Sequence, residues 1–272
     1  FMLHFTVATK QPAMTAARFA EAVEKTPQGK TVNMKLAQLL VDVFRSQSIA
    51  VLGNVLIAMG LAALIAFGYQ YKTGEPLMNA DQIAYQLHSI DPFAGTLWFA
   101  AIAGVWLFCS GIISGYFDNR SNYLNMRMRL TQHPLLKKLM SEKTRVKFAN
   151  YMHENYGSLI GNLCFGMLLG ITGVVGYLTH LPLDIRHVAF SSANVGYIAV
   201  SGQFTYSLLL QCIAFVLLIG LVNLIVSFSL TLWVALRSLN AEIDSWWPIW
   251  HEVCQIVKKR PLSLFLPVQL DK

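Results

Sequence analysis

Four long runs of this chain contain no Asp, Glu, Lys or Arg at all. They cover about residues 48–68, 93–117, 158–178 and 204–236. A helix needs roughly 20 apolar residues to cross about 30 Å of hydrocarbon, and each run meets that length. The alternative is four helices buried in a water-soluble core. A soluble domain carries about 25% charged residues, whereas this chain carries 13%, so the alternative is disfavoured. The expected fold class is therefore all-α: a polytopic transmembrane helix bundle with amphipathic cytoplasmic helices. The fourth run exceeds what a bilayer requires, so it must tilt or continue into the headgroup zone or water.

Charge between the runs predicts orientation. Residues 1–47 hold six Lys/Arg, 118–157 hold eight and 237–272 hold five, while 69–92 hold only Lys72 and 179–203 only Arg186. Nineteen of the 21 cations thus fall on one side if the chain crosses four times. The positive-inside rule places that side, including both ends of this segment, in the cytoplasm. Tyr69, Tyr71, Trp98, Tyr116 and Trp233 sit near the ends of the runs, where amphipathic rings meet headgroups.

The expected organisation has three parts. Residues 1–47 form cytoplasmic amphipathic helices, 48–236 the four-span bundle with its basic loop at 118–157, and 237–272 an interfacial, tryptophan-rich tail. Pro12 is placed to open a first helix running to Lys25, and Thr26-Pro27-Gln28-Gly29 to stop it. A second helix is expected from near Thr31. Its apolar stripe, Leu36, Leu39, Leu40, Val43 and Phe44, should pack on the protein's own cytoplasmic face and lead straight into the first span. Asn79 and Gln82 have the spacing of a helix cap. His133-Pro134 should break the middle loop into two helical pieces. In the tail, Ile243, Trp246, Trp247, Trp250, Val253 and Val257 precede Lys258-Lys259-Arg260-Pro261. That pattern fits a helix at the headgroup level, its basic end reaching anionic lipid, and equally a helix packed on the bundle. The opening Phe1-Met2-Leu3-His4-Phe5 reads as the end of an earlier apolar segment, hence as part of a longer protein with at least one earlier span.

Packing signals lie inside the runs. At about 100° per residue, Gly166, Gly170 and Gly173 share one helix face, and Gly111 and Gly115 another, so neighbouring backbones are expected to approach there, from within the chain or from a second copy. The strongly polar residues Asn54, Asn162, Gln211 and Asn223 should face inward and hydrogen-bond across helices. They are the candidate binding residues if they line a polar path. Bonding between helices is the plainer reading, because no acid or base accompanies them. Cys109, Cys164, Cys212 and Cys254 have no metal or disulfide spacing and read as buried thiols.

Catalytic motifs are sparse. His153-Glu154 and His251-Glu252 lack the second histidine of a zinc-binding HExxH helix, so no metal site is expected, and neither a phosphate-binding loop nor a GxSxG elbow occurs. No cofactor is implied. The densest group of reactive types is Asp184, Arg186 and His187 followed by Ser191, Ser192 and Asn194. A Ser, a His and an Asp so close could supply a nucleophile, its base and the base's orienting carboxylate, but a triad is defined by geometry and not by proximity in sequence. A polar turn leading into a helix or re-entrant segment is favoured over a catalytic set.

Two stretches carry a family resemblance. Leu3-His4-Phe5-Thr6-Val7-Ala8-Thr9-Lys10-Gln11-Pro12-Ala13-Met14-Thr15-Ala16 and Leu181-Pro182-Leu183-Asp184-Ile185-Arg186-His187-Val188-Ala189-Phe190-Ser191-Ser192-Ala193-Asn194 resemble a bacterial membrane-protein family named site-specific recombinase. The resemblance runs the length of the chain and implies the membrane-embedded C-terminal part of a longer protein in the bacterial inner membrane. The name implies DNA strand exchange, but it brings no catalytic residues to carry over. None of the seven histidines is followed by Arg at the third position, as a tyrosine recombinase requires, and no serine-recombinase pattern occurs. Clustered carboxylates for metal-dependent strand transfer are missing too. The basic face would attract phosphates of any origin. Positive-inside topology already accounts for it, so anionic lipid is the nearer partner and nucleic acid is not supported by this segment. The leading expectation is a non-enzymatic transport, scaffold or envelope component. The alternatives are the recombinase of the family name and a membrane enzyme acting on lipid or envelope substrates through the 184–194 cluster.

Overall fold

The computed structural model describes residues 16–23, 30–202, 205–241 and 243–264. The expected helix start at Pro12, its stop at Thr26–Gly29 and the first resemblance stretch up to residue 15 lie outside them. Among the described residues the structure is helical, with no strand. The α-helices are α1 (16–23), α2 (Lys30–Thr73), α3 (Ala80–Ile90), α4 (Thr96–Tyr123), α5 (Met126–Gln132), α6 (Pro134–Leu139), α7 (Glu142–Thr179), α8 (Val188–Ala199), α9 (Tyr206–Ser238) and α10 (Trp246–Lys259). Short 3₁₀ turns occupy Pro92–Ala94 and Pro261–Leu264.

Helices α2, α4, α7 and α9 are each long and apolar enough to cross a membrane. Two of them run well past their charge-free stretches. Helix α2 is 44 residues, so the amphipathic helix and the first span are one rod. At 1.5 Å per residue it is roughly 66 Å long, twice the hydrocarbon thickness. Helix α7 starts at Glu142 rather than near Ser158. The reason is the same in both: no Gly or Pro interrupts residues 30–52 or 142–156, so nothing stops the helix at the membrane boundary. The break at Pro134 is present, with His133 extended between α5 and α6. Helix α3 begins as its cap pair demands. The Asn79 side chain accepts from the Gln82 N–H at 2.8 Å, and Gln82 Oε1 accepts from the Asn79 N–H at 3.0 Å.

Contacts fix the relative directions. Ser110 and Asp118 of α4 meet Gly161 and Gly157 of α7, so the two run antiparallel. Ala100 and Gly104 of α4 meet Asn223 and Val226 of α9, so these run parallel. Val51 of α2 lies beside Gly220 of α9, while Leu36 packs near Leu232, so these are antiparallel. Successive long helices therefore alternate in direction, which is what four crossings require.

Within the chain, the α4–α7 seam does not use the expected glycine face. Nothing lies within 4 Å of the Cβ positions of Gly166, Gly170, Gly173 or Gly115. The close approach occurs instead at Gly157 and Gly161, where an added Cβ would fall on Ser114 and Asp118 or against Ser110. Gly166 lies about 140° around the helix from Gly161. Periodicity located a small-residue face but could not tell which face has a neighbour. Ser110 Oγ donates to the Gly161 carbonyl at 2.9 Å, and Trp106 Nε1 donates to Thr172 Oγ1 at 2.8 Å.

At the basic end, Phe19 of α1, Leu36 and Ala37 of α2, Leu232 of α9 and Ile249 of α10 form one buried cluster, and Phe19 stacks on Trp246. Val253 and Ile256 join Ile249 on the packed stripe of α10, while Trp247 and Trp250 are exposed beside it. Of the cysteines only Cys212 is buried; Cys109 and Cys164 are partly so and Cys254 is exposed. The expectation of four buried thiols fails at Cys254 because it lies on α10, outside the spans.

Candidate functional site

The chain does not leave the bundle between α7 and α9. After Thr179, residues 181–187 run without helix or strand back against it, starting with a tight turn in which the Leu183 N–H donates to the Leu181 carbonyl, and α8 then packs along α2. The approach is close because α8 carries Gly196, whose Cβ would fall on the Met59 carbonyl. The densest reactive group of the sequence is thereby brought, half-buried, against α3, α4 and α9.

A non-helical segment there must find partners for its backbone polar groups, since neither lipid nor apolar side chains supply any. Asn223 provides three. Its Oδ1 accepts from the Val188 N–H at 3.1 Å, and its Nδ2 donates to the carbonyls of Ala100 at 2.7 Å and Arg186 at 3.1 Å. Val188 is the first residue of α8, so its N–H is one of the orphan donors every helix start leaves. One buried amide thus ties α4, the non-helical segment and α8 to α9.

Arg186 is the second tie. Its Nη1 pairs with Asp184 Oδ2 at 2.6 Å. Its Nε donates to the Ser89 carbonyl at 2.8 Å, and Nη1 also reaches the Ile185 carbonyl at 3.0 Å. Ser89 is in the last turn of α3, where carbonyls lack helical partners and a cation is favoured. The guanidinium carbon stands 5.7 Å from the centre of the Phe99 ring, a cation–π distance. Asn194 Nδ2 adds a link from α8 to Gln86 Oε1 on α3 at 2.7 Å.

The candidate catalytic residues Asp184, Arg186, His187 and Ser191 are placed as follows. Asp184 pairs with Arg186 and accepts from the Ile185 N–H, and it does not orient His187. His187 Nδ1 accepts from the Ala189 N–H at 3.4 Å, capping α8, an acceptor role that requires Nδ1 to carry no proton. The ring sits edge-on between Phe165 and Phe190. Ser191 is buried, and its N–H continues the first turn of α8 by donating to the His187 carbonyl. No hydrogen bond joins the Ser191 hydroxyl to His187 among the described residues, so the sequence neighbours do not assemble a nucleophile–base–carboxylate relay.

The four intramembrane amides do not meet one another. Asn223 is buried, Asn54 and Asn162 are half-buried, and Gln211 is exposed rather than turned inward. Gln211 borders a surface pocket of about 240 Å³ against His88 and Asp91 of the α3 end. One pairing escaped sequence reasoning: Ser121 Oγ lies 3.1 Å from His153 Nδ1, between the basic ends of α4 and α7. Ser121 and His153 are 32 residues apart. Only the antiparallel register of these helices could have indicated it.

A family model described as site-specific recombinase matches residues 1–267. No curated protein and no solved structure matches the chain.

Proposed function

The chain belongs to the site-specific recombinase family, and from that premise we propose that it is a non-enzymatic scaffold-type component of the bacterial cytoplasmic membrane, its basic face turned to the cytoplasm and to anionic headgroups. The observation that carries this reading is the use made of the interior polar groups. Asn223 spends both its donor and its acceptor atoms on backbone, and Arg186 spends its guanidinium on Asp184 and two carbonyls. A transport path or an active site needs such groups turned toward a substrate; here they close the bundle on itself. The charge alternation supports the orientation, since nineteen of 21 cations flank one set of helix ends.

Cysteines introduced at positions 80 and 130 of an otherwise cysteine-free chain test the orientation. A membrane-impermeant maleimide should reach position 80 from the periplasmic side and position 130 only after the membrane is opened. Labelling of both from one side would overturn the topology. The activity half is tested with purified protein and duplex DNA. DNA binding that fades smoothly as salt rises is the plain polycation behaviour expected of this face. Strand cleavage or exchange abolished by one point substitution would replace the scaffold reading with the chemistry of the family's name.

A further inference from the structure

An apolar groove of about 610 Å³ opens at the basic end between α2, α9 and α10. That is within the range of roughly 300–1,000 Å³ typical of small-molecule sites. Phe44 forms one wall, Ile225 and Phe228 the second, and Trp250 and Cys254 the third, with Lys258 at the rim. Among the described residues only Ser229 and Lys258 bring a hydroxyl or a charge to the lining. The Pro261–Leu264 turn closes one edge and is tied down where Arg45 Nη1 donates to the Ser263 carbonyl.

The α9 wall belongs to a helix long and apolar enough to cross a membrane, and on the membrane reading proposed above the groove faces acyl chains. A concave apolar surface facing a bilayer is filled by hydrocarbon, because an empty cleft forfeits dispersion contacts on every side. Charge at the rim selects which lipid supplies the chain. Lys258 is exposed, and no carboxylate pairs with it among the described residues. The nearest acid on the α2 wall, Asp42, is committed to Arg45 at 2.8 Å and accepts from Gln38. Lys259 follows Lys258, and Trp250, exposed two turns earlier on the same helix, lines the same groove.

We propose that this groove is a binding site for an anionic phospholipid of the leaflet on the basic side, with one acyl chain lying between α2, α9 and α10 and the headgroup phosphate against Lys258. The proposal rests on the reading that the basic side faces an anionic leaflet. One lysine at such a surface corresponds to about a five-fold preference for an anionic over a zwitterionic headgroup.

The test is native mass spectrometry of the full chain in detergent, titrated with phosphatidylglycerol and phosphatidylcholine of identical acyl chains. One retained phosphatidylglycerol, preferred about five-fold, is the expected result, with Lys258→Glu lowering retention to the phosphatidylcholine level. Equal retention of the two lipids, or a preference unchanged in Lys258→Glu, overturns the headgroup assignment. A dimer that excludes lipid, or lipid retention that appears only when residues 265–272 are removed, gives the groove to another occupant and also overturns it. A second measurement locates the chain: phosphatidylglycerol brominated on its acyl chains should quench tryptophan fluorescence, and Trp250→Phe should remove more of that quenching than Trp247→Phe. Equal loss in the two variants sinks the groove assignment. If position 130 labels from the cytoplasmic side but the two lipids bind alike, only the lipid site falls. If the labelling itself fails, the orientation falls with it.

Discussion

Replacing Asn223 with alanine should cost the bundle more than any other single amide in the spans. The side chain is 2% exposed and makes three hydrogen bonds to backbone. Their loss is unequal. The Ala100 carbonyl is in the first turn of α4 and keeps its helical partner, so it gives up only a second bond. The Val188 N–H has no alternative, because residue 184 is not helical and cannot supply the acceptor four residues back. A buried donor left unsatisfied costs about 1–3 kcal/mol. The two lost carbonyl bonds add about 0.6 kcal/mol each, the average for membrane helices. The sum is about 2–4 kcal/mol. For a chain of this size that corresponds to a Tm lower by about 4–16 °C, at roughly 2–4 °C per kcal/mol. Tryptophan fluorescence during heating in detergent reads it directly. Asn223→Asp should be at least as damaging, since it keeps the acceptor for Val188 but turns a carboxylate oxygen toward two carbonyls. A Tm for Asn223→Ala within about 1 °C of the parent would refute the reasoning, as would an equal drop in Asn54→Ala, which removes no comparable set of bonds.

Other substitutions test the remaining contacts. Gly157→Leu should destabilise by about 1–3 kcal/mol or more through overpacking against Ser114 and Asp118, whereas Gly170→Leu, with open space around it, should leave the Tm unchanged; the two melts side by side decide which face of α7 is packed. Arg186→Met should cost about 1.5–3 kcal/mol, chiefly through its lost bonds to the Ser89 and Ile185 carbonyls, since Asp184 is 41% exposed and the Ser89 carbonyl keeps Thr96 as a donor; a double-mutant cycle with Asp184→Asn should show weak coupling, so a coupling as large as the Arg186→Met loss would refute this apportionment. Asn79→Ala should lower stability by about 1 kcal/mol through loss of the α3 cap, read as faster backbone amide exchange in 80–84.

Features written as local rules were legible in the sequence. The four membrane-length helices follow from runs free of charge, the α3 start from Asn79 and Gln82, and the α5–α6 break from Pro134. What could not be read depends on which helices become neighbours. Gly166, Gly170 and Gly173 satisfied a spacing rule, yet α4 approaches α7 from the Gly157–Gly161 side. Gln211 and Asn223 look alike in sequence, and only the return of residues 181–187 into the bundle gives Asn223 its partners while leaving Gln211 exposed. The early start of α7 at Glu142 was hidden for a different reason: charge and hydropathy mark where lipid ends, and a helix can continue past that boundary where no Gly or Pro interrupts it.

The return of residues 181–187 brings backbone donors and acceptors against α3, α4 and α9, and Asn223 and Arg186 are consumed in answering them. The polar interior is then a cost of the topology, and conserving its bonds is what keeps α8 between α2 and α9. The surfaces left open are of two kinds: exposed apolar helix faces such as the Gly166–Gly173 stripe, and the groove beneath α10. The groove combines an apolar concavity with the exposed cation Lys258. A specific lipid contact at that point would couple α10, and the buried Phe19–Leu36–Ile249 cluster it covers, to the composition of the leaflet while leaving the polar clasp untouched. Lys258→Glu is therefore expected to change lipid retention with no change in Tm in lipid-free detergent, and Asn223→Ala to do the reverse.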